Sequence, residues 1–404
     1  MRGAVVRRLA FFAAAAFAAG CGGGGSASSS SNEATPAVPP NVQPITVDLV
    51  DLGLEKRVNL AFTSVTICAP GSSSICQTID HVQVDTGSSG LRILSSVLAS
   101  SLALPKQTGA GGDPIVECFH FADGYSWGPV ELADVKLAGE QASAIPIQVI
   151  GDPQFSTVPT NCSSAGAPKN TVQAFGANGI LGVGLFQRDC GAFCASSSIG
   201  GYYVCPASGC RPSVVSLEQQ VANPVALFAT DNNGVLIQLP SVLGTAAETV
   251  SGSLIFGIGT RTNNALDSAT ILTTNAGTGN FTTIYKNRVI SRSFIDAGSN
   301  AFVFADENIP LCASGFYCPT ATVNLSATNQ GANGATSIVN FSVANADLLL
   351  ANNPTFAAFN NLGARSPFLA TSFDWGLPFF YGRNVFTAIE GKSTPAGNGP
   401  YFAY

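Results

Sequence analysis

Charge is what this sequence has least of. Only 10% of its 404 residues are Asp, Glu, Lys or Arg, and the balance is negative, with a formal net charge of −6 and a pI of about 4.9. No basic run follows Arg8, so nothing in the chain would track a phosphate backbone, and nucleic acid is excluded as a partner. Histidine is almost missing too. His81 and His120 are the only two, and the cysteines are not set in the tight thiolate pairs that zinc requires, so no metal and no cofactor is expected. The apolar run at residues 9–19 is too short for a comfortable membrane span.

That run instead reads as part of an export signal. Arg2, Arg7 and Arg8 precede it, and "AAGC" closes it at Cys21. The ending resembles the bacterial lipobox, whose cysteine is lipidated and becomes the new N-terminus; plain secretion is the alternative. Residues 1–21 are therefore expected to be a lipoprotein signal and residues 22–44, rich in Gly, Ser and Pro, a tether holding a folded body off a membrane. Lipidation at Cys21 places the chain in a bacterial cell envelope, on the periplasmic or the outer face.

Ten cysteines remain, an even number outside the reducing cytosol, which predicts five disulfides. Cys68 with Cys76 and Cys312 with Cys318 would close short loops. Cys190, Cys194, Cys205 and Cys210 would form two bridges with three connectivities open, leaving Cys118 with Cys162.

Beyond residue 44, short alternating or β-branched runs such as "VNLAFTSVTI", "AIPIQVI" and "GSLIFGI" are separated by Gly, Asn, Ser and Pro, an all-β pattern. Helical patterns are few and short, around Val97, Leu217 and Leu349. An internal echo carries more weight. "VQVDTGSSGLRI" around Asp85 recurs 211 residues later as "SFIDAGSNAFVF" around Asp296. Each is an apolar strand running into Asp, a small residue, Gly and Ser. Each is followed by an apolar stretch leading into glycine: "NGILGVG" at residues 178–184 and "PFFYGRNVF" at residues 378–386.

Taken singly, Asp85 in an Asp-Thr-Gly stretch is an ordinary turn opener, and Asp123 and Asp374 read as turn acids. His81, alternating with Val82 and Val84, reads as outward-facing, and Trp375 as core or cleft wall. Two carboxyls brought face to face are another matter. They cannot both ionise cheaply, so one becomes a base and the other an acid, able to hold and activate a water between them. Gly87 and Gly298 would offer unshielded N–H donors, and Ser88 and Ser299 hydroxyl donors, to hold the carboxyls in place.

With these motifs in order, the chain resembles the pepsin-like aspartic proteases from about residue 47 to 390. The resemblance rests on "DTGSSGLRI", "NGILGVG", "SGSLIFGIG", "FIDAGSN" and "FFYGRNVF". The lipoprotein start and "FDWGLPFFYGRNVFTAIEG" also resemble a bacterial lipoprotein family related to pepsin, of unassigned function. The resemblance implies an all-β, bilobal fold of two duplicated β-barrel lobes, residues 45–235 and 236–404, with a cleft between. It further implies catalytic Asp85 and Asp296, supported by Thr86, Gly87, Ser88, Ala297, Gly298 and Ser299, acting on an extended polypeptide.

Three departures stand out. Ala297 replaces the family's Thr or Ser, removing half of a reciprocal hydrogen-bonded grip with Thr86. In the covering hairpin "CFHFADGYSWGPVEL", Phe121 falls at the family's tyrosine, and Arg92 replaces its tryptophan partner. Tyr125 and Trp127 are candidate substitutes at the hairpin tip, or else cross-strand packing. The expected function is accordingly an exported, membrane-tethered aspartic endopeptidase, with an inactive cleft that binds a peptide, glycan or protein as the alternative.

Overall fold

The computed structural model describes residues 39–53 and 56–404, and there the alternating runs become strands. Three of them, β1 (Val42–Asp51), β2 (Lys56–Cys68) and β3 (Cys76–Asp85), pair antiparallel in succession. After β3 ends on Asp85, β4 (Ser89–Leu94) turns back, and β8 (Gly179–Val183) lies between the two. It runs parallel to β3, with Val84 opposite Leu181, and antiparallel to β4, with Leu91 opposite Leu181. Both β4 and β8 are buried on both faces, which is why β8 reads as an unbroken apolar run; β4 also buries Ser89 and Arg92. Between them in the chain come β5 (Ile115–Phe121), β6 (Gly124–Leu137) and β7 (Glu140–Ile150), the first two forming a hairpin.

The same three-strand arrangement recurs 211 residues on. Strand Arg288–Ile295 leads into Asp296, and Phe373–Trp375 lies parallel to it and antiparallel to Phe302–Val303. Trp375 faces Ile295 on one side and Phe302 on the other, matching Leu181 between Val84 and Leu91. The second partner strand is therefore "FDWG", not the expected "PFFYGRNVF". Pro378 sits instead in a 3₁₀ turn, Leu377–Phe379, and Arg383–Ala388 pairs with Gly234–Leu239 elsewhere. An acid in the middle of an otherwise apolar strand disguised the motif.

β1 joins the lobes. It pairs with β2 on one side and with Val250–Phe256 on the other, so a 15-stranded sheet runs continuously between them, while seven strands form a second sheet in the C-terminal lobe. β1 starts inside the segment expected to be tether. Pro44, which has no N–H to give, lies ahead of the β1–β2 ladder that begins at Thr46, so β2 asks no donor of it; its carbonyl accepts from the Thr63 hydroxyl at 2.8 Å. Cys21 and the rest of the export signal lie outside the described residues.

The expected helices shrink to 3₁₀ turns at Ser95–Val97 and Leu217–Gln219 and one short helix, Ala346–Asn352. Asn345 caps that helix, accepting from the Leu348 N–H at 3.1 Å. Five disulfides are present: Cys68–Cys76, Cys118–Cys162, Cys190–Cys194, Cys205–Cys210 and Cys312–Cys318. The open connectivity of the four-cysteine cluster thus resolves to its two nearest-neighbour pairs.

Candidate active site

Strand termination places both acids alike. Asp85 Oδ1 accepts from the Gly87 N–H at 2.7 Å, and Asp296 Oδ1 from the Gly298 N–H at 2.7 Å. Ser88 Oγ donates to Asp85 Oδ2 through a short bond, and Ser299 Oγ to Asp296 Oδ2 at 2.8 Å. Each carboxyl is thereby held by one backbone and one hydroxyl donor, the bonds that fix its plane.

The two sets meet. A β-carbon placed on Gly87 would lie 2.6 Å from Asp296 Cγ, and one on Gly298 would lie 2.6 Å from Asp85 Oδ1. Glycine is required at both positions by this close approach, and the two carboxyls share a hydrogen-bonding contact. The protein packed around Asp296, then the charge of Asp85, then that of Asp374, push its proton affinity well above the ordinary carboxyl range.

Cross-lobe bonds hold this geometry. Thr86 Oγ1 donates to the Ile295 carbonyl at 3.0 Å and accepts from the Ala297 N–H at 2.9 Å. Ala297, fully buried, has no hydroxyl to return the bond. Other groups contribute instead. Gln83 Nε2 donates to the Gly298 carbonyl at 2.9 Å, and Asn59 Nδ2 to the Asn300 carbonyl at 2.9 Å.

Arg92 is completely buried on β4, where the resemblance puts a tryptophan. Its guanidinium donates to Glu117 Oε1 at 2.6 Å, Asp189 Oδ2 at 3.1 Å and the Ser89 carbonyl at 3.0 Å, and covers the Phe119 ring at 3.7 Å. Tyr202 completes the network, donating to Asp189 Oδ1 at 2.7 Å. Burial works against the Arg92 charge, but Glu117 and Asp189 more than offset it; burial drives Glu117 well up despite Arg92. The residue facing Arg92 is therefore Glu117 and not Phe121, and an ion pair stands where the family has two aromatic rings. The signal was present in "IVECFHF", an acid inside an apolar strand.

Of the two expectations for the aromatic residues of the hairpin, packing is the one seen. Tyr125 and Trp127 are buried in a satellite cluster with Tyr203 and the Cys118–Cys162 bridge, Trp127 Nε1 donating to the Phe155 carbonyl at 2.8 Å. They are packing residues. Phe121 rests edge-on against Phe119 and Phe175. Phe119, one alternation back, is the hairpin residue that reaches the cleft. It lines a cavity of about 280 Å³ with Gly87, Ser88, Phe186, Asp189 and Phe294. A larger groove of about 740 Å³, near Asn340 and Tyr381, has no residue of either acid loop in its wall, whereas Thr86, Gly87 and Ser88 beside Asp85 line the smaller cavity.

Asp374 was expected in a turn but is fully buried within its strand, with neither oxygen hydrogen-bonded. His81 is exposed beside Asp80, in line with its outward alternation. His120 lies 3.2 Å from Cys118 Sγ, but that sulfur and that of Cys162 are spent on their disulfide. Asp123 is exposed at the hairpin turn and pairs with Lys169 at 2.5 Å.

An all-β chain with two lobes, joined by a shared sheet and each carrying an Asp-x-Gly-Ser loop at a common seam, has the pepsin-like fold. An aspartic proteinase from Irpex lacteus shares it, with a TM-score of 0.50 and 15% identity over 90% of this chain and 96% of that one. Such low identity speaks for the fold alone. The chain belongs to a family described as "Protein of unknown function (DUF3443)", matched over residues 37–404. No curated protein matches its sequence.

Proposed function

We propose that the chain is an exported aspartic-type endopeptidase using Asp85 and Asp296. The observation carrying this reading is the reciprocal approach of each glycine to the opposite acid, which sets the two carboxyls side by side where the loops meet. Asp85 takes a proton from that water as its oxygen attacks an amide carbon, and Asp296 gives its proton to the carbonyl oxygen. Asp85 then passes its proton to the amide nitrogen while Asp296 takes one back from a hydroxyl of the tetrahedral carbon, so the C–N bond breaks to amine and carboxylic acid and both acids regain their starting states. The apolar walls Phe119, Leu185, Phe186 and Phe294 suit an apolar substrate side chain beside the acids.

The reading extends to location. Five disulfides suit an oxidising compartment, and the motif ending at Cys21 suits a lipid anchor in the cell envelope. Purified protein incubated with unfolded polypeptide from pH 3 to 7 should cleave it, and a statine-type mimic should block cleavage. Equal cleavage by Asp85→Asn and Asp296→Asn would overturn the proposal.

Ala297 and the Arg92–Glu117 pair favour a second reading, a cleft that binds a polypeptide or glycan without cutting. A tight complex whose ligand is recovered intact, unaffected by either Asn variant, is the result that selects it.

A further inference from the structure

The two acid loops are not held alike. Thr86, Gln83 and Asn59, all from the first lobe, donate to the Ile295, Gly298 and Asn300 carbonyls of the second loop at 3.0, 2.9 and 2.9 Å. Beyond the carboxyls themselves, the second lobe returns one bond to the first loop among the described residues, from the Ala297 N–H to the Thr86 hydroxyl. The 211-residue echo shows why. Gln83 answers to Phe294 and Thr86 to Ala297, so a donor in the first lobe is matched by a ring or a methyl in the second. Phe294 has no amide to give the Gly87 carbonyl.

Asn59 is the most committed of the three donors. It is fully buried in β2 at a left-handed φ of 53°, a conformation that asparagine adopts more readily than most residues with a side chain. Its amide is filled. Nδ2 donates to the Asn300 and Phe359 carbonyls at 2.9 Å each, while Oδ1 accepts from the Phe359 N–H at 2.7 Å and from the Tyr381 hydroxyl at 2.8 Å. Two carbonyls at one end and a backbone N–H at the other leave the amide a single orientation.

The path from these amides to the acid is short. Gly298 and Ser299 are the two donors to the Asp296 carboxyl. Gln83 holds the carbonyl of Gly298 itself, and Asn59 that of Asn300, next to Ser299.

We infer that Asn59 and Gln83 are positioning residues that set Asp296 from the opposite lobe, whereas Asp85 is set by Gly87 and Ser88 of its own. Fixing the Gly298 and Asn300 carbonyls fixes the donors of the Asp296 carboxyl, and with them its stance toward Asp85. The inference rests on the two acids working as a pair, but its first test needs no turnover.

Amide hydrogen exchange is followed by NMR in the full chain. Asn59→Gly, which suits the left-handed backbone, and Gln83→Met, which keeps the side chain's length, should each speed exchange at Gly298 and Ser299 about tenfold, the worth of one hydrogen bond. Gly87 and Ser88 should stay within about threefold of their original rates. Asn41→Ala is the control: an equally buried asparagine, bonded to the Phe256 carbonyl at 2.9 Å, whose loss should speed neither loop. In cleavage, the first two variants should lower kcat about tenfold with KM little changed, because a displaced acid is felt in the transition state. If Asn59→Gly fails to fold, Tyr381→Phe takes its place, removing one bond from the same amide. Equal acceleration in both loops, none at Gly298 and Ser299 in folded variants, or acceleration there in Asn41→Ala overturns the inference. Selective acceleration without peptide cleavage sustains it while sinking the peptidase reading.

Discussion

Thr86 and Ala297 are bonded in one direction only. The Thr86 hydroxyl donates to the Ile295 carbonyl and accepts from the Ala297 N–H, while Ala297 offers a methyl in return. By the 211-residue offset, a hydroxyl at position 297 would face the Val84 carbonyl. Ala297→Thr should therefore stabilise the protein by about 0.5–1.5 kcal/mol, read as a higher unfolding midpoint. A lower midpoint would mean the methyl packing leaves no room for the oxygen.

Gly87 cannot carry a side chain without displacing Asp296. Gly87→Ala should destabilise by about 1–3 kcal/mol, the range for overpacking a filled site. Loss of statine-mimic binding at temperatures where the variant is folded would separate displaced carboxyls from general unfolding. Undiminished binding would show that the seam yields.

The duplicated acid loops were legible because each repeats a whole strand-Asp-x-Gly-Ser pattern, and the five disulfides because spacing left few choices. The second partner strand was not. Periodicity reads Asp374 as a break in an apolar run, since a buried acid is rare without a partner. Its meaning comes from long-range pairing with Arg288–Ile295, which no local window contains. The Arg92–Glu117 pair was hidden for the same reason: 25 residues, with a 3₁₀ turn and a long loop, separate its members. Trp127 stayed open between cleft cover and packing in the sequence because the two share one composition.

Arg92, fully buried, is paired with both Glu117 and Asp189. Arg92→Met should cost about 3–5 kcal/mol, because a buried charge pair broken on one side leaves the other side unpaired. Arg92→Met with Glu117→Leu should recover only the part owed to Glu117, because Asp189 still lacks its cation. Chemical denaturation of the single and double variants measures both, and additive losses would contradict a coupled pair.

Stability should also fall as pH rises. Glu117, Asp296 and Asp374 all bind protons more tightly in the native state than an ordinary carboxyl does. Above the ordinary carboxyl range the unfolded chain has released protons that the native one still holds. Each such group then weakens the fold by up to about 1.4 kcal/mol per pH unit until its native affinity is passed. The unfolding midpoint should decline from about pH 5 toward neutrality, less steeply in Asp374→Asn; a midpoint rising over that interval would reverse the sign.

The seam strand β1 is also where the chain enters the fold. Val42 to Val47 pairs with Val250–Phe256 on one side, and β2 begins pairing with it at Thr46 on the other. Tension transmitted through the residues before Val42 would pull β1 along its own length, so its hydrogen bonds would have to fail together in shear instead of one by one as in peeling. Tension entering from that end would strain the joint between the lobes before it reached the loops that hold Asp85 and Asp296.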